Sequence, residues 1–165
     1  MIGRRIVVLG VGNLIMGDEG LGVRCIERLE AAGSLPADVT IVDGGTSTNE
    51  LLGDLENLDL LVIVDAVVTG GGPGSLIRLE GARIPSALSN KLSPHQHGIN
   101  DLLAHLELLD RAPGRVVLHG AMPARIELGM DLSPEVEAVL PELMARVVAE
   151  VAGAAEAAGV DRARA

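Results

Sequence analysis

The chain has 165 residues, which is enough for one domain that buries roughly 70% of its unfolded surface. It contains no Phe, Tyr or Trp and has a formal net charge of -10, so it lacks both the stacking side chains and the basic surface that nucleic-acid binding needs. No stretch reaches the roughly 18 apolar residues of a membrane span. The only cysteine, Cys25, cannot form a disulfide within the chain, which predicts a reducing, cytoplasmic environment.

Short, continuously apolar runs alternate with helical patterns along the chain. Five runs predict strands, the fourth being more polar and expected at a sheet edge; they cover residues 4–9, 39–42, 58–64, 75–80 and 116–118. Helices are predicted where apolar residues recur at helical spacing. The apolar faces are Gly22, Cys25, Ile26 and Leu29, then Leu51, Leu52 and Leu55 behind a cap at Thr46 or Ser47, then Ile99, Leu102, Leu103 and Leu106. The stretch before the third of these helices, residues 81–94, is expected to be irregular.

A long helix is predicted at the C-terminal end. Ser133 is a favourable N-cap and Pro134 a favourable first helical residue. Pro141 removes one internal hydrogen bond and is expected to kink this helix or to mark a break in it. Residues 161–165 are expected to fray.

The alternation of strands and helices predicts an α/β fold. Because the strands are continuously apolar, the five-stranded sheet should be mostly parallel and covered by helices on both faces, in a three-layer α/β/α arrangement. We expect a single domain at residues 1–160, followed by the frayed tail. In such folds ligands bind beyond the carboxyl ends of the strands. The loops at residues 70–74, 81–91 and 123–132 are expected to carry specificity.

A glycine-rich turn at residues 10–22 joins the first strand to the first helix. Two acids, Asp18 and Glu19, stand where the helix begins. Acids in a first turn often do no more than complement the helix dipole. A helix start that carries carboxylates is also better suited to a cation than to a phosphate.

A dinucleotide-binding turn is the first alternative for this stretch. Gly10 and Gly12 fit the fingerprint, and Asp43 lies near the distance at which an acid would bind the ribose. The third glycine is missing, because Ile15 occupies its place. The two acids at the helix start would also repel a pyrophosphate.

Three side chains from separate connections are expected to meet at the carboxyl edge of the sheet. They are Glu19 after the first strand, Asp65 after the third strand, and His95 in a loop that leads to a helix. Two carboxylates and an imidazole make a divalent-metal site with open positions, suited to nickel, zinc, manganese or iron. Each also has a plain structural role, since Glu19 can complement a dipole, Asp65 can cap a loop and His95 can start a helix.

The remaining reactive side chains are expected to be structural. Cys25 lies on the apolar face of the first helix, where a buried hydrophobe is favoured over a nucleophile. His105 and His119 are interpreted as structural, whereas His97 is a candidate for supporting a metal ligand.

Four sequence blocks, in order, resemble the hydrogenase maturation proteases. The first is G-V-G-N followed by D-E-G-L-G-V-R within residues 10–24, and the others are D-G-G-T at 43–46, D-A at 65–66 and S-P-H-Q at 93–96. The resemblance covers the chain up to the C-terminal helix. A single G-x-G-N would be weak evidence, but four blocks in order are specific.

The resemblance implies a fold, an activity and a site. Members of this family are cytoplasmic endopeptidases with a twisted five-stranded sheet between helices. They remove a short C-terminal extension from the large subunit of nickel-iron hydrogenase after nickel has been inserted. The family's metal ligands correspond to Glu19, Asp65 and His95, and the first of these is often aspartate in other members. The expected partner is the nickel-loaded large-subunit precursor.

The expected mechanism uses a metal that the substrate carries. The nickel belongs to the substrate, although other divalent metals can occupy such a site, and docking on it positions the scissile bond. The metal or an adjacent carboxylate is expected to activate water or to polarise the carbonyl, and Asp65 is the first candidate for a catalytic role. The alternative function is a non-enzymatic, nickel-dependent checkpoint or nickel carrier that uses the same ligands.

Overall fold

The computed structural model describes residues 3–45, 49–89 and 94–164, with side chains for all of these except 49, 88–89, 94–97 and 158–164. Five strands form one sheet: β1 Ile6–Val11, β2 Val39–Gly45, β3 Leu60–Ala66, β4 Leu76–Glu80 and β5 Arg115–Ala121. Their order is β2-β1-β3-β5-β4. All neighbours are parallel except β4, which pairs antiparallel with β5 at the edge. The mostly parallel sheet and the polar edge strand are therefore confirmed.

Five α-helices accompany the sheet: α1 Leu21–Ala32, α2 Leu52–Leu55, α3 Arg83–Ser89, α4 Pro94–Leu108 and α5 Pro134–Arg164. Helices α1 and α5 pack on one face of the sheet, where Leu21, Leu29 and Val147 belong to one buried apolar cluster. Helices α2, α3 and α4 supply Leu55, Ile84 and Ile99 to the cluster on the other face. The three-layer α/β/α prediction is confirmed.

Helix α3 corrects the expectation that residues 81–94 are irregular. Pro85 is the third residue of this helix. Proline is tolerated in a first helical turn because the N–H group that it lacks would have no intrahelical partner there. Helix α3 also occupies most of residues 81–91, the segment that was predicted to be a loop carrying specificity.

The second predicted helix is shorter than expected. Only α2, one turn long, follows a 3-10 turn at Asn49–Leu51. Its predicted caps, Thr46 and Ser47, lie outside the described residues.

The C-terminal helix begins as predicted, because the Ser133 hydroxyl accepts a hydrogen bond from the Val136 N–H (3.3 Å) and Pro134 opens α5. The helix continues past Pro141, so the alternative of a break there is wrong. The kink at Pro141 and the fraying of residues 161–165 stay predictions.

Backbone hydrogen bonds place the chain that follows helix α4 at the amino ends of the parallel strands, which we call the amino edge. At the amino edge, the Asn57 N–H donates to the Arg111 carbonyl (2.9 Å), and the Gly114 N–H donates to the Leu58 carbonyl (2.8 Å). Helix α4 therefore ends at the amino edge. Its 15 residues extend about 22 Å, close to the length of a seven-residue strand. The first turn of α4 accordingly lies toward the carboxyl edge.

Within the described part of the chain, no helix is both long and apolar enough to cross a membrane.

Candidate metal centre

The acidic side chains are held by a 3-10 turn, Gly17–Gly20, that leads directly into α1. Glycine at two nearby positions lets this turn and α1 lie against the sheet. Gly12 has φ +137°, and a Cβ atom there would collide with the Glu19 carbonyl. A Cβ atom on Gly22 would collide with the carbonyl oxygens of Val64 and Val11. The glycine-rich stretch thus serves close backbone packing.

Glu19 and Asp65 lie at the carboxyl ends of adjacent strands. Asp65 is the sixth residue of β3, directly after Val64, which pairs with Gly10 of β1. The turn that carries Glu19 follows β1 and packs against β3. Glu19 is 7% exposed and Asp65 is 0% exposed. The structure therefore brings two buried carboxyl groups to the same edge of the sheet.

His95 is the second residue of α4, and its side chain lies outside what the structure describes. The sequence predicts His95 in a loop before the helix, so the helix starts earlier than expected, at Pro94. Because the first turn of α4 lies toward the carboxyl edge, the backbone of His95 is on the side of the sheet that carries Glu19 and Asp65. The side chain of His97 is likewise outside the description.

The donor set fits a divalent cation. Buried ionised carboxylates are costly unless a positive charge or hydrogen bonds compensate them. Two carboxylates satisfy part of the requirement of a divalent metal, and an imidazole would complete a mixed oxygen and nitrogen set. Among the residues with described side chains, no group of three metal-ligating side chains is present, so His95 is the donor on which a three-ligand site depends.

Asp18 has a different role from its neighbour Glu19. Its Oδ2 atom accepts hydrogen bonds from the backbone N–H groups of Ala124 (2.8 Å) and Arg125 (2.9 Å), and its Oδ1 atom accepts one from Ser133 (2.7 Å). Burial by itself raises the pKa of Asp18, but the hydrogen bonds outweigh it and hold that pKa below its usual value. Asp18 therefore fastens the loop after β5 to the acidic turn. Pattern reasoning missed this role, because its partners lie more than 100 residues along the chain.

Two other reactive side chains are structural, as predicted. Cys25 is fully buried, and burial raises the pKa of its thiol to about 12 despite the charge of Arg28, so it is a poor nucleophile. His119 of β5 is 3% exposed, and its Nε2 atom lies 3.0 Å from Oε1 of Glu150 on α5. Burial lowers the pKa of His119, against the opposing effect of Glu150. This contact ties α5 to the sheet.

The Asp43 carboxylate is engaged within its own turn, where Oδ1 accepts a hydrogen bond from the Gly45 N–H (2.8 Å). In the alternative of a dinucleotide-binding turn, the Asp43 carboxylate would instead bind the ribose of the dinucleotide.

Comparison with known proteins identifies relatives over most of the chain. The hydrogenase maturation protease family model matches residues 23–150. That match includes Asp65 and His95 and begins just after Glu19. The hydrogenase 2 maturation protease of Escherichia coli K12 is 42% identical over 146 residues, which are 88% of this chain and 89% of that protein. The hydrogenase expression/formation protein HupD of Rhodobacter capsulatus is 38% identical, over 89% of this chain and 71% of that protein.

Solved structures share the fold. The hydrogenase maturating endopeptidase HybD from Escherichia coli has a TM-score of 0.86 at 40% identity, over 91% of this chain and 93% of that one. The [NiFe] hydrogenase maturation protease HybD from Thermococcus kodakarensis has a TM-score of 0.73 at 28% identity, over 87% of this chain and 97% of that one. The family model covers well over half of the chain, and the relatives match it along nearly its whole length. The chain belongs to the hydrogenase maturation protease family.

Proposed function

We propose that this chain is the endopeptidase that removes the C-terminal extension from a nickel-iron hydrogenase large-subunit precursor after nickel insertion. It acts in the cytoplasm and recognises the substrate's nickel through Glu19, Asp65 and His95. The observation that carries this proposal is the pair of buried carboxyl groups at the carboxyl edge, on the side where the first turn of α4 carries His95. Family membership supports the same assignment.

The substrate's nickel acts here as a docking point. Two anionic oxygens and a neutral imidazole attract a divalent cation that still has open coordination positions. Binding at that cation brings the precursor's tail to the carboxyl edge in one orientation. The scissile bond is then held beside the catalytic groups and does not have to meet them by diffusion. A precursor without nickel lacks this contact, so processing follows nickel insertion.

Peptide hydrolysis then requires an activated water. The water oxygen attacks the scissile carbonyl carbon, the carbon–nitrogen bond breaks, and one water proton goes to the leaving amine. A bound divalent metal can polarise the carbonyl or acidify the water. Asp65 is the carboxylate that we assign to accept this proton from the water and to pass it to the leaving amine, because it lies fully buried beside the acidic turn. Cys25 takes no part, since its thiol stays protonated.

Asp65→Asn tests the assignment with a near-isosteric change. We expect processing of nickel-loaded precursor to fall at least about 100-fold, and the affinity for that precursor to fall as well, because one anionic ligand is lost. Far-ultraviolet circular dichroism should remain that of the wild type. The matched control is Asp54→Asn, an exposed aspartate on α2.

An Asp65→Asn variant that processes precursor at the wild-type rate would contradict the proposal. If wild type forms a stable complex with nickel-loaded precursor and never cleaves it, the chain is the non-enzymatic checkpoint instead.

A further inference from the structure

Exposed apolar side chains are concentrated in the segment just before the turn that carries Glu19 and in the loop after β5. Among the described residues, seven large apolar side chains are exposed, and four of them belong to one turn and one loop; these are Ile15 (52% exposed), Ile126 (39%), Leu128 (81%) and Met130 (58%). We refer to these four as the apolar lip. Two of the others, Leu108 and Leu109, lie at the end of α4 by the amino edge.

The apolar lip is fastened to the acidic turn by backbone hydrogen bonds. The Gly129 N–H donates to the Ile15 carbonyl (2.9 Å), and the Gly17 N–H donates to the Gly129 carbonyl (2.8 Å). This forms a parallel bridge between Met16 and Gly129, which sets Ile15 beside Leu128. Arg24 of α1 also donates to the Met130 carbonyl (3.2 Å).

The Asp18 carboxylate adds three further hydrogen bonds to the same loop. The loop thus has no regular secondary structure, but hydrogen bonds anchor it at several residues. Its conformation is set before any partner arrives, which reduces the entropy lost on binding.

Polar groups flank the apolar lip on one side. Met130 also lines an open pocket of about 590 Å³, together with Arg24, Arg28 and Glu137. An apolar centre with a mixed-charge rim is the usual anatomy of a protein–protein interface. A cluster of exposed apolar side chains on a fixed loop marks a binding surface rather than a packing defect.

We propose that the apolar lip is the docking surface for the protein body of the hydrogenase large-subunit precursor. This inference rests on the proposed function. The lip is joined by backbone hydrogen bonds to the turn that carries Glu19, so we expect a protein whose metal reaches Glu19 and Asp65 to lie against it. A second copy of this chain has no corresponding reason to bind beside the carboxylates. The metal centre then recognises the nickel, and the lip recognises the apolar surface around it.

The test combines binding and processing of full-length, nickel-loaded precursor. The variant is Leu128→Ser with Met130→Ser, and the control is Leu108→Ser, which changes an equally exposed leucine (87%) far from the site. We expect the double variant to weaken precursor binding and raise KM at least tenfold, with kcat unchanged at saturation. The control should match the wild type. Neither site is buried, so thermal unfolding should not change.

Other outcomes overturn the docking surface, the proposed function or both. If the double variant binds precursor like the wild type, the lip does not dock it, even if processing itself is normal. A variant that converts a dimer into a monomer without affecting precursor binding would assign the lip to a second copy. If wild type binds but does not cleave, the proposed function fails, while the binding comparison still decides the lip. If wild type does not bind the precursor at all, both fail.

Discussion

At the scale of single residues, two adjacent acids do different work. Glu19 belongs to the proposed metal centre, whereas the Asp18 carboxylate accepts hydrogen bonds from three backbone N–H groups of the loop after β5. A sequence pattern that contains D-E cannot distinguish these roles, because the partners of Asp18 become neighbours only in the folded chain. Asp18 is therefore a positioning residue that connects the acidic turn to the apolar lip.

Asp18→Asn should destabilise the fold in a pH-dependent manner. The amide keeps one acceptor oxygen and presents N–H groups to N–H donors, so we expect a loss of about 1–3 kcal/mol in the free energy of unfolding at pH 6. Because hydrogen bonding holds the folded pKa of Asp18 below its usual 3.8, its contribution is full above that pH and is lost as pH falls through the folded pKa. Urea unfolding followed by circular dichroism at pH 6, 4 and 3 measures this. A difference between variant and wild type that does not shrink in acid would contradict it.

At the scale of elements, the strands were predictable and several connections were not. Apolar runs predicted all five strands, most clearly β1 and β3, in which every residue is buried, and the more polar composition of β4 predicted its edge position. Helix α3 was not predicted, although Pro85, as the third residue of the helix, costs no hydrogen bond in a first turn. The close packing of α1 on the sheet was not predictable from the sequence pattern. It depends on the backbone carbonyl groups of Val64 and Val11, which lie next to Gly22 only in the folded chain.

Gly22→Ala tests that close approach. A methyl group there would collide with the carbonyl oxygens of Val64 and Val11, which are backbone and cannot move aside cheaply. We expect a loss of about 1–3 kcal/mol or more in the free energy of unfolding, measured as a lowered Tm. Gly53→Ala is the control, because a Cβ atom there meets nothing within 4 Å and favours helix α2. A Gly22→Ala protein as stable as the wild type would show that α1 can shift without cost.

At the scale of the whole molecule, the carboxyl edge of the sheet gathers the features that the proposed function uses. It carries Glu19, Asp65 and, through the first turn of α4, His95; the apolar lip borders it. Sequence reasoning could predict that Glu19 and Asp65 come to this edge, because parallel strands end together, whereas the meeting of His95 with them stays a prediction. It could not find the lip, since Ile15 and Leu128 lie far apart in the chain and meet only through the bridge at Gly129.

The most direct test of the central claim compares two forms of one substrate. Unprocessed hydrogenase large subunit from the same source is prepared with and without nickel, each form is incubated with this protein, and the subunit's mass is measured. We expect loss of a C-terminal peptide from the nickel-loaded form alone, because only that form can bind Glu19, Asp65 and His95. Equal cleavage of both forms would contradict the claim that the chain recognises nickel through these residues.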